Sequence, residues 1–146
     1  MLANGLTRES AVETISRRME QWPLHSHCHE VVVKLISSEG WWYVGYSSPA
    51  DGDAFFSYWD ANIDPAGVFY LLTIFLPEHH RGQGHGAALY LAIEDIAREL
   101  KCVRIQQTPS GWTHTGEDRM NYLLRRGWKP YGDEEVIKEF THEPAC

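Results

Sequence analysis

Apolar positions near the start of the chain repeat at helical intervals, and further on at strand intervals. Ala11, Val12, Ile15, Met19 and Trp22 recur every three or four residues behind Ser10-x-x-Glu13, the spacing of a capping box. This predicts a helix over residues 8–22 that Pro23 ends. Two β-rich runs, residues 31–36 and 41–46, flank Ser37-Ser38-Glu39-Gly40 and read as a hairpin. A third strand fits residues 54–60, after the turn-forming stretch 49–53. Residues 68–76, behind Pro65-Ala66-Gly67, are apolar almost without a break, which predicts a central strand covered on both faces.

The second half changes rhythm. Leu89, Ala92, Ile93, Ile96, Ala97 and Leu100 mark one face of a helix over residues 84–100, and that stripe needs a sheet to cover. Residues 102–106 read as a strand, so strand, loop, helix and strand form a right-handed crossover that leaves the two strands parallel. A loop over 110–116 leads to a short helix carrying Met120, Leu123 and Leu124, which stops at Gly127. Residues 128–140 return as one or two closing strands, and 142–146 form a loose tail. There are no repeats, linkers or low-complexity stretches. The expectation is one domain over residues 1–146, of the α/β (α+β) class, with helices flanking a mixed sheet.

Charge adds an asymmetry to this outline. The formal net charge is −7, but residues 1–80 carry four basic and ten acidic groups, 81–129 eight and five, and 130–146 one and five. An anionic ligand is favoured by the middle stretch, while the acidic remainder attracts a cationic partner and argues against nucleic acid. Ordinary solvated faces account for the same charges equally well. Arg104, Arg119, Arg125 and Arg126 are the one candidate for a basic patch. No apolar run reaches the roughly 20 residues of a membrane span, and residues 1–10 lack the order of a signal peptide. Three scattered cysteines, Cys28, Cys102 and Cys146, suit a reducing compartment, so the cytoplasm is the expected location.

The most specific motif joins the apolar strand to the long helix. Glycines at 82, 84 and 86 let backbone N–H groups converge on an anion at a helix N-terminus, and Arg81 adds a fixed charge. Gly82-x-Gly84-x-x-Ala87 also satisfies a dinucleotide fingerprint, but five residues separate Leu76 from Gly82. The acidic ribose-binding residue is missing too, because the next strand ends in Gln106-Gln107. Gly-Lys-Ser/Thr does not occur, which excludes a P-loop.

Pro77, then Arg81-x-x-Gly84-x-Gly86, the long helix, and Gly127-Trp128 resemble the acyl-CoA-dependent GNAT superfamily of N-acyltransferases over about residues 67–128. The resemblance implies a mixed central sheet splayed at the cofactor site, with the pantetheine arm in the gap. It implies that backbone groups of Thr73, Ile74 and Phe75 bond the pantetheine amides and polarise the thioester. Arg81, Gly82, Gln83, Gly84, His85 and Gly86 would hold the pyrophosphate. The implied reaction moves an acetyl group from acetyl-CoA (coenzyme A) directly to a primary amine, on a cationic small molecule or on a protein. A homodimer is left open. A non-catalytic acyl-CoA-binding module is the alternative.

Proton transfer is where the chain departs from the family. An amine of pKa about 10.4 is only about 0.04% neutral at pH 7, so its deprotonation costs roughly 4.6 kcal/mol and needs help. A thiol leaving group near pKa 8.5 needs far less. The family's acidic tyrosine corresponds to Leu123, with Tyr122 beside it about 100° round the helix, and Gly116 stands where an asparagine is common. No acid lies in residues 68–76, so the candidate bases are Glu30, Asp60, His79, His80 and His29. Tyr122, Asp60 and Glu30 are taken as the catalytic candidates, each with a plain reading as packing or solvated residue. His25-x-His27-x-His29 would share one face of a strand and invites zinc, but without a second ligand cluster no metal is expected.

Overall fold

The computed structural model describes residues 8–21, 31–35, 41–48, 54–74, 85–109 and 116–140. The elements, in chain order, are α1 (Arg8–Glu20), β1 (Val31–Leu35), β2 (Trp41–Ser48), β3 (Ala54–Ile63), β4 (Val68–Ile74), α2 (His85–Glu99), β5 (Arg104–Gln107), α3 (Arg119–Arg125), β6 (Lys129–Tyr131) and β7 (Glu135–Glu139). The strands form one seven-stranded mixed sheet in the order β1-β2-β3-β4-β5-β7-β6. Every neighbouring pair is antiparallel except β4 and β5, which the α2 crossover makes parallel. The α/β class and the mixed sheet flanked by helices therefore follow the sequence pattern, and the closing segment is two strands.

The core lies between this sheet and two helices. α1 contributes Ala11, Ile15 and Met19, all fully buried, α2 contributes Leu89, Ile93, Ile96 and Ala97, and Leu100 follows at its end. Trp42, Val44, Trp59, Ala61, Phe69 and Ile105 meet them from the strands. Arg17 and Arg18 of α1 both hydrogen-bond the carboxylate of Glu99 on α2, which fixes the two helices against each other. Burial alone works upward on the Glu99 carboxyl, but the two arginines outweigh it and hold the group below its ordinary range.

Turn chemistry sets the entry to β4. Asp64 N donates to Val68 O, Gly67 N to Asp64 O, and Val68 N to Asp64 Oδ1. Gly67 takes φ +92°, the left-handed conformation this tight return needs. At the end of α2 the same region of φ is occupied by a lysine. Lys101 has φ 62°, with Cys102 N bonding Ala97 O and Lys101 N bonding Arg98 O. This reversal consumes residues 101–103, so β5 starts at Arg104 instead of Cys102. α3 closes in the same way around Gly127, φ 96°, with Trp128 N on Leu123 O.

β4 departs from the expected strand in one respect. Its first half is covered on both sides, with Val68, Phe69 and Leu71 at 5% exposure or less, but Leu72 is 49% exposed and Thr73 is exposed as well. Two causes coincide there. Pairing with β5 runs only through Val68↔Arg104, Phe69↔Ile105 and Tyr70↔Gln106. Pairing with β3 passes from Asp60↔Thr73 to Ala61↔Leu71, so Leu72 is the extra residue of a bulge.

Candidate active site

The site is the opening that β4 and β5 leave between them. Beyond Tyr70, β4 pairs with no described residue on the β5 side, so among the described residues alternate backbone groups of residues 71–74 lack a ladder partner there, while Leu71, Thr73 and Ile74 still pair with β3. The bulge at Leu72 adds a local twist where that gap begins. Backbone N–H and C=O groups need partners when water is excluded, so an extended ligand with amides of its own suits this edge.

α2 begins at His85, after the crossover from β4, and presents its N-terminal N–H groups there. Gly86 lies in the first turn, and a Cβ built on it would meet nothing within 4 Å. Helix formation does not call for a glycine at this position, where glycine costs up to about 1 kcal/mol relative to alanine. The open space beside it leaves room at the helix start. Arg81, Gly82, Gln83, Gly84 and Phe75 lie outside the described residues, as do Glu30, His79, His80 and the triplet His25, His27 and His29. Among the described residues no group of His, Cys, Asp and Glu could hold a metal ion.

Of the remaining candidates, Thr73 and Ile74 stand on the unpaired stretch of β4, Thr73 exposed and Ile74 packed against the core. Asp60 is half-buried on β3, in register with Thr73 on one side and Tyr43 of β2 on the other. Residues paired in this way share a face, so Tyr43, Asp60 and Thr73 form a polar row opposite the buried Trp42, Trp59 and Ala61. Asp60 is thus a carboxylate beside the open end of β4.

Tyr122 sits half-buried on α3. Its ring lies 6.2 Å from that of Tyr90, and the guanidinium carbons of Arg125 and Arg126 lie 5.6 and 5.3 Å from its centroid. Leu123, at the family's tyrosine position, is fully buried. The register has not shifted to bring Tyr122 into that place. Arg125 is also bound to Glu117 at 2.8 Å, and Arg104 lies over the Tyr131 ring, so these members of the candidate basic patch are engaged within the fold.

Three residues at the gap escaped the sequence reading. Arg119 reaches from α3 and donates from Nη1 to Ile74 O at 3.3 Å, tying the far end of the unpaired β4 stretch to the helix. Tyr90 of α2 and Gln107 of β5 are both buried, and neither Tyr90 Oη nor Gln107 Nε2 makes a well-formed hydrogen bond, although the Gln107 side chain lies near enough to act on the phenol. Such atoms each cost roughly 1–3 kcal/mol unless a water or ligand satisfies them. Burial pushes the Tyr90 phenol above its ordinary range, against the opposing pull of Arg119, Gln107 and Arg126. The sequence spacing marked neither residue: Tyr90 falls beside the predicted apolar stripe and Gln107 one position past the predicted strand. Cys102 offers no nucleophile: burial, aided by the Asp64 carboxylate, pushes its thiol up to about 12.

Among the described residues no helix is long and apolar enough to cross a membrane. No curated protein matches the sequence significantly. Among the solved structures that match, two illustrate the shared fold. One, from Klebsiella pneumoniae and assigned as an acyl-CoA N-acyltransferase, has a TM-score of 0.50 at 15% identity, over 95% of this chain and 93% of that one. The other, the PaiA N-acetyltransferase of Thermoplasma acidophilum in complex with coenzyme A, has a TM-score of 0.50 at 15% identity, over 94% and 97%. Residues 11–127 match the Acetyltransferase (GNAT) family. The splayed strands, the helix that follows the glycine loop and this match agree, and the chain belongs to the GNAT acetyltransferase family.

Proposed function

We propose that the protein is an N-acetyltransferase that passes the acetyl group of acetyl-CoA directly to a primary amine. The observation that carries this reading is the end of β4–β5 pairing at Tyr70↔Gln106, which leaves an unpaired strand edge leading toward the start of α2. An extended chain with amides fits the edge, and a pyrophosphate fits a helix start preceded by Arg81-x-x-Gly84-x-Gly86. One of the structural relatives holds coenzyme A.

The residues divide the work as follows. Backbone groups of Thr73, Ile74 and Phe75 align the thioester arm, and Arg81, Gly82, Gln83, Gly84, His85 and Gly86 hold the pyrophosphate. Asp60, on the polar row beside Thr73, receives the surplus proton of the amine, directly or through water. An acidic surface favours a cationic acceptor, whether small molecule or protein amine. Tyr122 and Glu30 are the other catalytic candidates.

Leu123 favours a second reading. A fully buried leucine in the family's acid position suits a module that binds acyl-CoA without turning it over. Calorimetry of acetyl-CoA binding to the native chain and to Gly84→Glu tests the cofactor site. Micromolar binding that the glutamate removes is expected, and no binding by the folded native protein overturns both readings. Turnover against an amine panel then separates enzyme from module.

A further inference from the structure

The two faces of the sheet differ. Trp42, Trp59, Ala61, Phe69 and Ile105 lie on the face that α1 and α2 cover, and Lys138 of β7 reaches Glu94 of α2 on that side at 3.6 Å. Strand alternation puts Asp60 and Asn62 on the other face, and the pairs Asn62↔Tyr70, Tyr70↔Gln106 and Gln106↔Ile137 carry that face across to β7. Glu135, two residues from Ile137, therefore shares it with Asp60. The hydrogen bond that Gln106 Nε2 donates to Glu135 Oε2 agrees with this placement.

Asp60 and Glu135, both half-buried, stand on opposite sides of the opening and at the same end of the sheet. Asp60 is opposite Thr73, past the last β4–β5 pair, and Glu135 starts β7 one residue beyond Gln107↔Val136. The strand order β3-β4-β5-β7 separates them by three spacings of about 4.8 Å, or roughly 14 Å. Among the described residues neither carboxylate forms an ion pair, whereas Glu139 of the same strand is held by Lys129 and Glu94 by Lys138. Glu135 is fixed instead by a neutral group. Gln106 is 7% exposed, and its Oε1 accepts from Arg104 Nε at 3.1 Å, while the Arg104 guanidinium lies over the Tyr131 ring. The amide thus stands between Arg104 and Glu135, holding the carboxylate in place without neutralising it.

Two unpaired carboxylates that straddle an opening suit a ligand with two positive charges held apart. We infer that the acceptor is a linear molecule with two amino groups, whose reacting nitrogen lies at the opening beside Asp60 and whose distal ammonium is held by Glu135. The inference rests on the acyltransferase reading given above and makes Glu135 a specificity-determining residue. In the transfer the N–C bond forms, the C–S bond breaks and the electron pair stays on sulfur, which takes a proton from solvent. The surplus protons of the reacting nitrogen leave through Asp60. The distal ammonium, protonated at neutral pH, keeps its own. A carboxylate in the distal position would face Glu135 and be rejected.

Linear diamines of increasing length, each matched with the monoamine of the same carbon chain, are the probes, with release of the coenzyme A thiol as the readout. Beyond the statistical gain from two equivalent amines, the native chain is expected to favour the longer diamines by about fivefold in kcat/KM, or about 1 kcal/mol. Short diamines, which cannot span the carboxylates, are expected to gain less. Glu135→Gln, close to the native shape, is expected to abolish the preference, while Glu139→Gln keeps it. Glu135→Lys is expected to reverse the choice, favouring an ω-amino acid over the diamine of equal length. No native preference, or one that survives Glu135→Gln, overturns the inference and leaves the acyltransferase reading standing. Acetyl-CoA binding without turnover of any amine overturns both.

Discussion

Asp60 of β3 stands directly opposite Thr73 of β4, and the next residue back along β4, Leu72, is the one the pairing skips. The carboxylate is therefore placed where β4 turns from core strand to open edge. Asp60→Asn is expected to lower turnover at least tenfold while acetyl-CoA affinity, read by calorimetry, stays within about twofold. Unchanged turnover would leave Asp60 a half-buried strand carboxylate with no part in the reaction.

Lys101 and Gly127 end their helices in the same left-handed conformation, φ 62° and 96°. A side chain pays a steric penalty there that glycine does not. Lys101→Gly is expected to stabilise the fold by about 0.5–1 kcal/mol, and Gly127→Ala to destabilise it by about 1 kcal/mol. Urea denaturation of the two variants checks the opposite signs.

Glu99 joins α1 to α2 through Arg17 and Arg18, and its carboxyl lies below the ordinary range. A depressed folded-state pKa means that its contribution is fully present above the unfolded value of 4.5 and drains away as pH falls through the folded value. The partners are about one-third exposed, so Glu99→Gln is expected to cost only about 0.5–1 kcal/mol at pH 7. Melting curves of variant and native chain should converge as the pH is lowered past 4.5.

Gly86 meets nothing within 4 Å where a Cβ would stand, and its helix would accept alanine. Gly86→Ala is expected to raise stability by up to about 1 kcal/mol. Gly86→Leu is expected to weaken coenzyme A binding at least tenfold without unfolding the chain, because the larger side chain enters space left for the ligand. Thermal melts and calorimetry on the two variants give the comparison.

Periodicity made most of this fold legible. The stripe from Leu89 to Leu100 and the apolar run behind Gly67 carry their partners implicitly, since each leaves a face to be covered. What depends on a neighbour's path was not legible. The exposure of Leu72 follows from where β5 turns away and from a bulge against β3, and neither is written in residues 68–76. Lys101 hid a helix end because only its φ, and not its residue type, does what glycine usually does. Of the site, the glycine loop stands on its motif alone, because residues 81–84 lie outside the described residues. Tyr90 lies beside Leu89 and outside the predicted stripe, so the spacing did not mark it, and its burial against Tyr122 and Trp128 comes from the fold.

A strand edge with unsatisfied backbone groups ordinarily recruits a strand from another molecule, and proteins guard such edges against aggregation. The open stretch of β4 is protected in a different way. It lies in the middle of its sheet, between β3 and β5, and not at either rim. A foreign strand reaching for it would have to force the sheet apart along β5, β7 and β6, whereas a single slender arm needs only the existing divergence. The same topology that exposes the groups a cofactor needs thus screens them from self-association, and the rims of the sheet, β1 and β6, are where the chain must defend itself by other means.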